Sequence, residues 1–290
     1  MDAGDLARVD PALGSRLRTL AAAPRLVVVA GLPGTGKSLI IRELSRLAAA
    51  AGRTVHTLQW DIARPAFEAA PAGRRYPLED GVTHVVIRKA AGRWVRKAVA
   101  AWAAAHPGPR HLLIGEAPLV GGRFIELVCS AGDAAEPVLT APSCRFAVPV
   151  PSQDVRRFIE AERDRRMVRP VHPREREDAP SHVLRALWDE LARAGWMLGL
   201  VATPDTGEEI RYDPGLYEAV YRRVLARRHA ETLPLARVLP VSGVSAYDLR
   251  VPVHELVPTE QEVDRAVRAV EAEYPDAVRL ADEAGRWYVS

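Results

Sequence analysis

A three-layer α/β fold around a central, mainly parallel sheet of five strands is predicted by three features of the sequence. Continuous apolar runs of strand length mark strands buried on both faces. Capped segments with helical periodicity stand between them, and strand-helix alternation of this kind builds parallel sheets. At 290 residues and 48% apolar content, the chain can fill the core of a single domain.

The elements follow in order. Asp10-Pro11 offers an N-cap and a proline at the first helical position, and Leu13, Leu17 and Leu20 then recur on one face. "RLVVVAG" (25–31) is the first buried strand, and a helix over 37–50 follows it directly. "RTVHTLQWD" (53–61) is the second strand, ending at Asp61. A proline-, glycine- and arginine-rich stretch leads to a helix over 81–105. "RHLLIGE" (110–116) and "RFAVPVP" (145–151) are the third and fourth strands.

An arginine-rich helix occupies 152–167, and the aperiodic segment 168–180 reads as a mobile lid. Leu184, Leu187, Trp188, Leu191 and Leu198 give the helix at 181–200 an apolar face, and Asp213-Pro214 caps another. "ETLPLARVLP" (231–240) is the last strand, its prolines suiting an edge position. Thr259 and Glu262 form a capping box for a helix to residue 273, and the tail reads as a hairpin around Gly285.

Charge and cysteine usage exclude little but point one way. The formal net charge of +3 neither demands nor forbids an anionic partner. Cys129 and Cys144 are isolated, with no CxxC and no histidines paired at ligand spacing along the chain, so neither a disulfide framework nor a zinc site is expected. The start of the sequence lacks the basic and apolar regions of a secretion signal, and no apolar run is long enough to span a bilayer. A cytoplasmic location is expected, with no membrane role and no obligate protein partner.

Gly31-Leu32-Pro33-Gly34-Thr35-Gly36-Lys37-Ser38 satisfies G-x-x-x-x-G-K-[ST] between a buried strand and a helix. Glycines let successive amides curl toward one centre, and the helix N-terminus adds its positive end. Lys37 reaches the β and γ phosphates, and Ser38 ligates magnesium. Leu39 opens the helix beside them. With only three lysines against 37 arginines, a lysine in this loop is the more telling.

At these residues the chain resembles the P-loop nucleoside triphosphatase superfamily. The resemblance implies ATP or GTP with magnesium, and without an N-K-x-D guanine motif ATP is expected. "GLPGTGKS" is shared by AAA+ ATPases and P-loop kinases, so the residues downstream must discriminate. AAA+ proteins usually end the acidic strand in Asp-Glu, whereas here Gly115 precedes Glu116. About eighty residues separate Lys37 from Glu116, the interval in which P-loop kinases place an acceptor-binding insertion.

"DIARPAF" puts Arg64 and Phe67 behind Asp61, which looks like the D-x-x-[RK]-x-x-F pattern of zeta-toxin-type and polynucleotide-kinase-type P-loop kinases. The likeness implies that Asp61 is the general base toward an acceptor hydroxyl; its alternative is an ordinary helix N-cap. Arg64 holds Asp61 or an acceptor anion, or is simply solvated. Lys89, Arg93, Arg96 and Lys97 share a helix face that suits a phosphorylated acceptor or is a solvated surface. Glu116 resembles the acid that contacts metal-bound water in these kinases, with a structural hydrogen bond as the alternative, and Arg123 on a following helix could face the same pocket.

In kinases resembling adenylate kinase, the position of Arg156, Arg157, Arg163, Arg165, Arg166 and Arg169 carries a lid that closes over the transferring phosphoryl group. Arg163 and Arg166, one turn apart, are the first choices for that work. Gly243, in "SGVSAYDL", could lie against adenine. The resemblance therefore implies a P-loop kinase fold as a single domain over 1–290: phosphate-loop unit 24–60, acceptor insertion 61–108, lid 152–180 and C-terminal part 200–290. Its expected activity is transfer of the ATP γ-phosphoryl to a hydroxyl of a nucleotide, sugar or nucleic-acid 5′ end. An AAA+-like ATPase and a non-catalytic ATP-binding module are the alternatives.

Overall fold

The apolar run at 25–31 forms strand β1 (Leu26–Ala30), buried at every residue. The computed structural model describes residues 6, 9–177, 179–202, 210–238 and 245–289. Helix α1 (Pro11–Ala22) precedes β1, its N-cap Asp10 accepting the Leu13 amide at 2.9 Å. After β1 come α2 (Lys37–Ala50), β2 (Thr54–Gln59), α3 (Trp60–Ala69) and α4 (Val85–Ala105). β3 (His111–Ala117), the short α5 (Glu136–Leu139), β4 (Cys144–Pro151) and α6 (Gln153–Val168) follow. The chain continues through α7 (Ser181–Met197), α8 (Pro214–Val224), β5 (Ala230–Leu235), β6 (Val253–Glu255), α9 (Glu260–Glu273) and α10 (Ala277–Gly285).

The sheet has six strands among the described residues, not five, in the order β5-β4-β1-β3-β2-β6. Every pairing is parallel. The added strand, β6, pairs Val55 with Val253 and lies at one edge; three residues with a polar centre carry no apolar run to announce it. β5 forms the other edge and tolerates Pro234 there.

Alternation along the strands divides the core in two. Val27, Val29, Leu112 and Ile114 pack with Leu17, Ile40 and Leu44 from α1 and α2. Leu26, Val28, Leu113 and Phe146 face the opposite way, onto Ile87, Val95, Tyr217 and Val267 from α4, α8 and α9. Helices thus cover both faces, as burial of all-parallel strands requires.

Two expectations are corrected here. The tail is not a hairpin: Asp276 caps α10 by accepting the Val278 amide, and Leu280 and Trp287 are buried. The basic face of α4 does not turn to an acceptor. Arg93 pairs with Glu273 of α9, Lys89 pairs with Glu126 and Glu283, and Arg96 is 5% exposed. Arg93 and Lys89 thereby fasten the C-terminal helices α9 and α10 to α4.

Arg96 and Arg228, from α4 and the turn after α8, converge on Glu136 at 2.8 and 2.9 Å. Burial opposes the carboxylate's charge, but the two guanidiniums outweigh it and hold Glu136 down at about 2. Because the folded pKa lies below the unfolded one, this stabilisation is complete above the ordinary carboxylate range and is lost as pH falls toward 2. Glu136→Gln leaves two buried cations short of a partner and should cost about 2 kcal/mol at pH 7. Urea unfolding should show this loss, together with a flatter stability profile between pH 4.5 and 2 than the wild type has.

Candidate active site

Residues 31–36 must turn the chain from β1 into α2, and the three glycines serve that turn differently. Gly34 and Gly36 have φ of 73° and 87°, in the left-handed region that glycine enters without steric cost. Gly31 is required by packing: a Cβ there would lie 2.6 Å from the Tyr217 hydroxyl and 2.9 Å from Thr35 Oγ1. Thr35 is fully buried and donates to the Leu32 carbonyl at 2.8 Å, so its side chain braces the loop instead of facing a ligand. Gly31 likewise supports the loop from behind, its amide donating to Ala117 O.

α2 has Gly36 as its N-cap and no side-chain cap, which leaves its first amides open to an external acceptor. Pro33, Gly34, Gly36, Lys37, Ser38 and Leu39 line a cleft of about 400 Å³ at that helix end. Open amides, the positive helix end and Lys37 together make this wall suited to an anion. The Ser38 hydroxyl beside them is a hard oxygen donor of the kind magnesium takes.

Lys37 and Glu116 meet because β1 and β3 are neighbours, with Val29 in register with Glu116. The Lys37 ammonium lies 3.2 Å from Glu116 Oε1 and 3.0 Å from the Leu32 carbonyl. The other carboxylate oxygen, Oε2, accepts the Trp60 amide at 3.2 Å. Burial pushes the Glu116 carboxyl above the usual range against the pull of Lys37, and Asp61 adds to the rise. Gly115 is small because a Cβ there would press to 3.3 Å on Val28 of β1.

β2 stops at Gln59, earlier than the sequence suggests, and Asp61 stands exposed in the first turn of α3. Gln59, not Asp61, is the N-cap, so the capping alternative for Asp61 does not hold. Successive positions of α3 then divide: Asp61 and Arg64 line the cleft, while Phe67 is buried against Trp94. Arg64 pairs with Glu68 at 2.8 Å, and Glu68 accepts from Thr83 at 2.9 Å. That chain of contacts anchors a tight turn at the cleft mouth, where Asp80 and Gly81 both have positive φ between paired Glu79 and Val82. Asp-Gly is the sequence signature of such a turn, and the helix begins after it, at Val85 instead of Gly81.

Arg123 is not on a helix. It follows a short turn, Val120–Gly122, and is flanked by Leu119 and Phe124, buried residues at φ 64° and 62°. Such backbone strain persists only where packing imposes it, and here it aims Arg123 at the cleft. Burial and the neighbouring Arg88 push the Arg123 guanidinium down to about 10, and an anion beside it would relieve that cost.

The arginine-rich helix α6 separates its arginines by face. Arg163 and Arg166 line the cleft with Val155, Phe158 and Ile159. Arg166 is held at 2.8 Å by both Glu162 and Glu175, and Glu175 also accepts from Ser245 at 2.7 Å. Arg157 and Arg165 are exposed and paired with Asp154 and Glu162. Arg156 does something the sequence did not announce: almost fully buried, it donates to the Pro33 carbonyl at 2.6 Å and clamps the glycine loop. Gly243 lies outside the described residues.

A comparison with protein-family models, with curated proteins and with solved structures gives no match. The site therefore has to be read from its own chemistry. Arg156→Leu removes the buried guanidinium that holds the Pro33 carbonyl, and should destabilise the fold by about 2 kcal/mol. Amide exchange at residues 34–36 should accelerate in this variant more than exchange in β3.

Proposed function

We propose that this protein is a magnesium-dependent phosphotransferase that moves the γ-phosphoryl of ATP to a hydroxyl acceptor, in the manner of the P-loop kinases its loop resembles. The observation that carries this reading is the meeting of four parts in one cleft: the glycine loop with Lys37, the carboxylates Asp61 and Glu116, and the arginines of α6. A cleft of about 400 Å³ is of a size that takes small-molecule ligands.

In this reading the loop amides and Lys37 bind the donor phosphates. Ser38, and Glu116 through water, would hold magnesium, which neutralises charge on the phosphate oxygens. Asp61 accepts the proton of the acceptor hydroxyl as its oxygen bonds to the γ-phosphorus, and the bond from that phosphorus to the bridging oxygen breaks, releasing ADP. Arg163 and Arg166 stabilise charge spread over the equatorial oxygens of a loose transition state. Arg166 would exchange a carboxylate partner for phosphate as it does so.

Arg64 and Arg123 on the Asp61 side of the cleft favour an acceptor that itself carries an anionic group. A nucleotide, a sugar phosphate or a nucleic-acid 5′ end meets that condition. An ATPase of the AAA+ kind is disfavoured because the neighbour of Glu116 is Gly115, where such ATPases carry a second carboxylate, and a side chain there would press on Val28 of β1.

Incubation with γ-labelled ATP and a panel of hydroxyl acceptors tests the proposal. Label should reach an acceptor, and Asp61→Asn should slow transfer by about 10²-fold or more while leaving nucleotide affinity unchanged. Release of free phosphate with no labelled acceptor supports the ATPase reading, and binding without turnover supports a non-catalytic module. Normal transfer by Asp61→Asn contradicts the assignment of the base.

A further inference from the structure

Far from the cleft, at the amino ends of the strands, the fold collects histidines that are scattered in sequence. His56 lies on β2, His111 opens β3, and His106 follows the last turn of α4. One ring nitrogen from each lies within 4.8 Å of the others. His56 Nε2 and His111 Nδ1 are 3.1 Å apart. The His106 ring centroid lies 4.5 Å from that of His56 and 4.4 Å from that of His111, with the ring tilted to both. His254 of β6 adds a fourth ring, 5.1 Å from His56.

We propose that His56, His106 and His111 form a binding site for a late divalent transition metal of the zinc type, separate from the nucleotide cleft. Three nitrogens bound to one such ion at about 2.0–2.1 Å stand about 3.3 Å from one another. The His56–His111 pair already has nearly that spacing, and small ring rotations bring His106 to it. The fourth position falls to water or to His254.

The donor set selects the metal. Three imidazoles with no carboxylate among them suit zinc, nickel and copper, and offer nothing to magnesium or calcium. In the metal-free protein the contact between His56 and His111 is a hydrogen bond carrying one proton. A neutral imidazole has a second nitrogen to receive it, so on binding that proton moves to the outer nitrogen of its own ring and both inner lone pairs face the ion.

The surroundings already fix the ligands. His56 is buried at 6% exposure, with the Trp102 ring edge-on to it. Arg53 donates to the His111 carbonyl at 2.9 Å, and Arg25 donates to the His106 carbonyl, so the backbones on both sides of the site are held. A metal here would fasten β2, β3 and the end of α4 to one another, and β2 and β3 carry Gln59 and Glu116 to the cleft at their other ends.

The test uses full-length protein without a histidine tag, stripped with chelator and titrated with Co²⁺ and then Zn²⁺. One Co²⁺ per chain is expected, with visible d–d absorption that Zn²⁺ displaces and a thermal midpoint that rises with metal. His106→Asn and His111→Asn, both half-buried, should lower affinity at least tenfold while matching the metal-free midpoint of the wild type. Absence of stoichiometric binding by the wild type overturns the proposal, and so does binding retained by a variant that carries both substitutions. Because the readouts are optical and thermal, they stand whether or not the cleft transfers phosphate.

Discussion

The contact between Lys37 and Glu116 is the constraint on which the cleft depends. Both side chains are almost fully buried, and a buried charge deprived of its partner costs several kcal/mol. Lys37 can reach Glu116 only because β1 and β3 are adjacent, and Glu116 can also take the Trp60 amide only because α3 starts where β2 ends. One carboxylate therefore ties the glycine loop, the central strands and the helix bearing Asp61 into a single geometry.

Around that contact the walls are rigid in proportion to how they are held. The loop is braced from within by Thr35, from behind by Tyr217 and from the side by Arg156. The roof is held more loosely, by charged pairs between Arg166, Glu162 and Glu175. Fixed donors below and exchangeable ion pairs above are what a site needs if it is to admit a polyanion and then close guanidinium groups over it.

The part of this organisation legible in the sequence was the part encoded locally. Eight consecutive residues specify the glycine loop, and four-to-seven-residue apolar runs specify the central strands, so both were found where expected. Asp61, Arg64, Glu116, Arg163 and Arg166 all line the cleft, at the positions that the resemblance to P-loop kinases implies once the loop and the strands are placed. What escaped was set by contacts between distant segments. β6 exists because β2 offers an unpaired edge; Arg96 is buried because Glu136 meets it; Arg156 clamps a loop more than a hundred residues earlier. The histidines are far apart in the chain and share a site only through strand register and the end of α4. Asp80-Gly81 carries a turn signature of its own, and this turn sets the start of the following helix at Val85, four residues beyond Gly81.

The central claim is that the cleft delivers phosphoryl to an alcohol and not to water. The most direct measurement is mass spectrometry of the products formed from ATP in ¹⁸O-enriched water with a mixture of anionic hydroxyl acceptors. The account predicts a phosphorylated acceptor free of ¹⁸O, formed in step with ADP. All of the released phosphoryl appearing as ¹⁸O-bearing inorganic phosphate would contradict it.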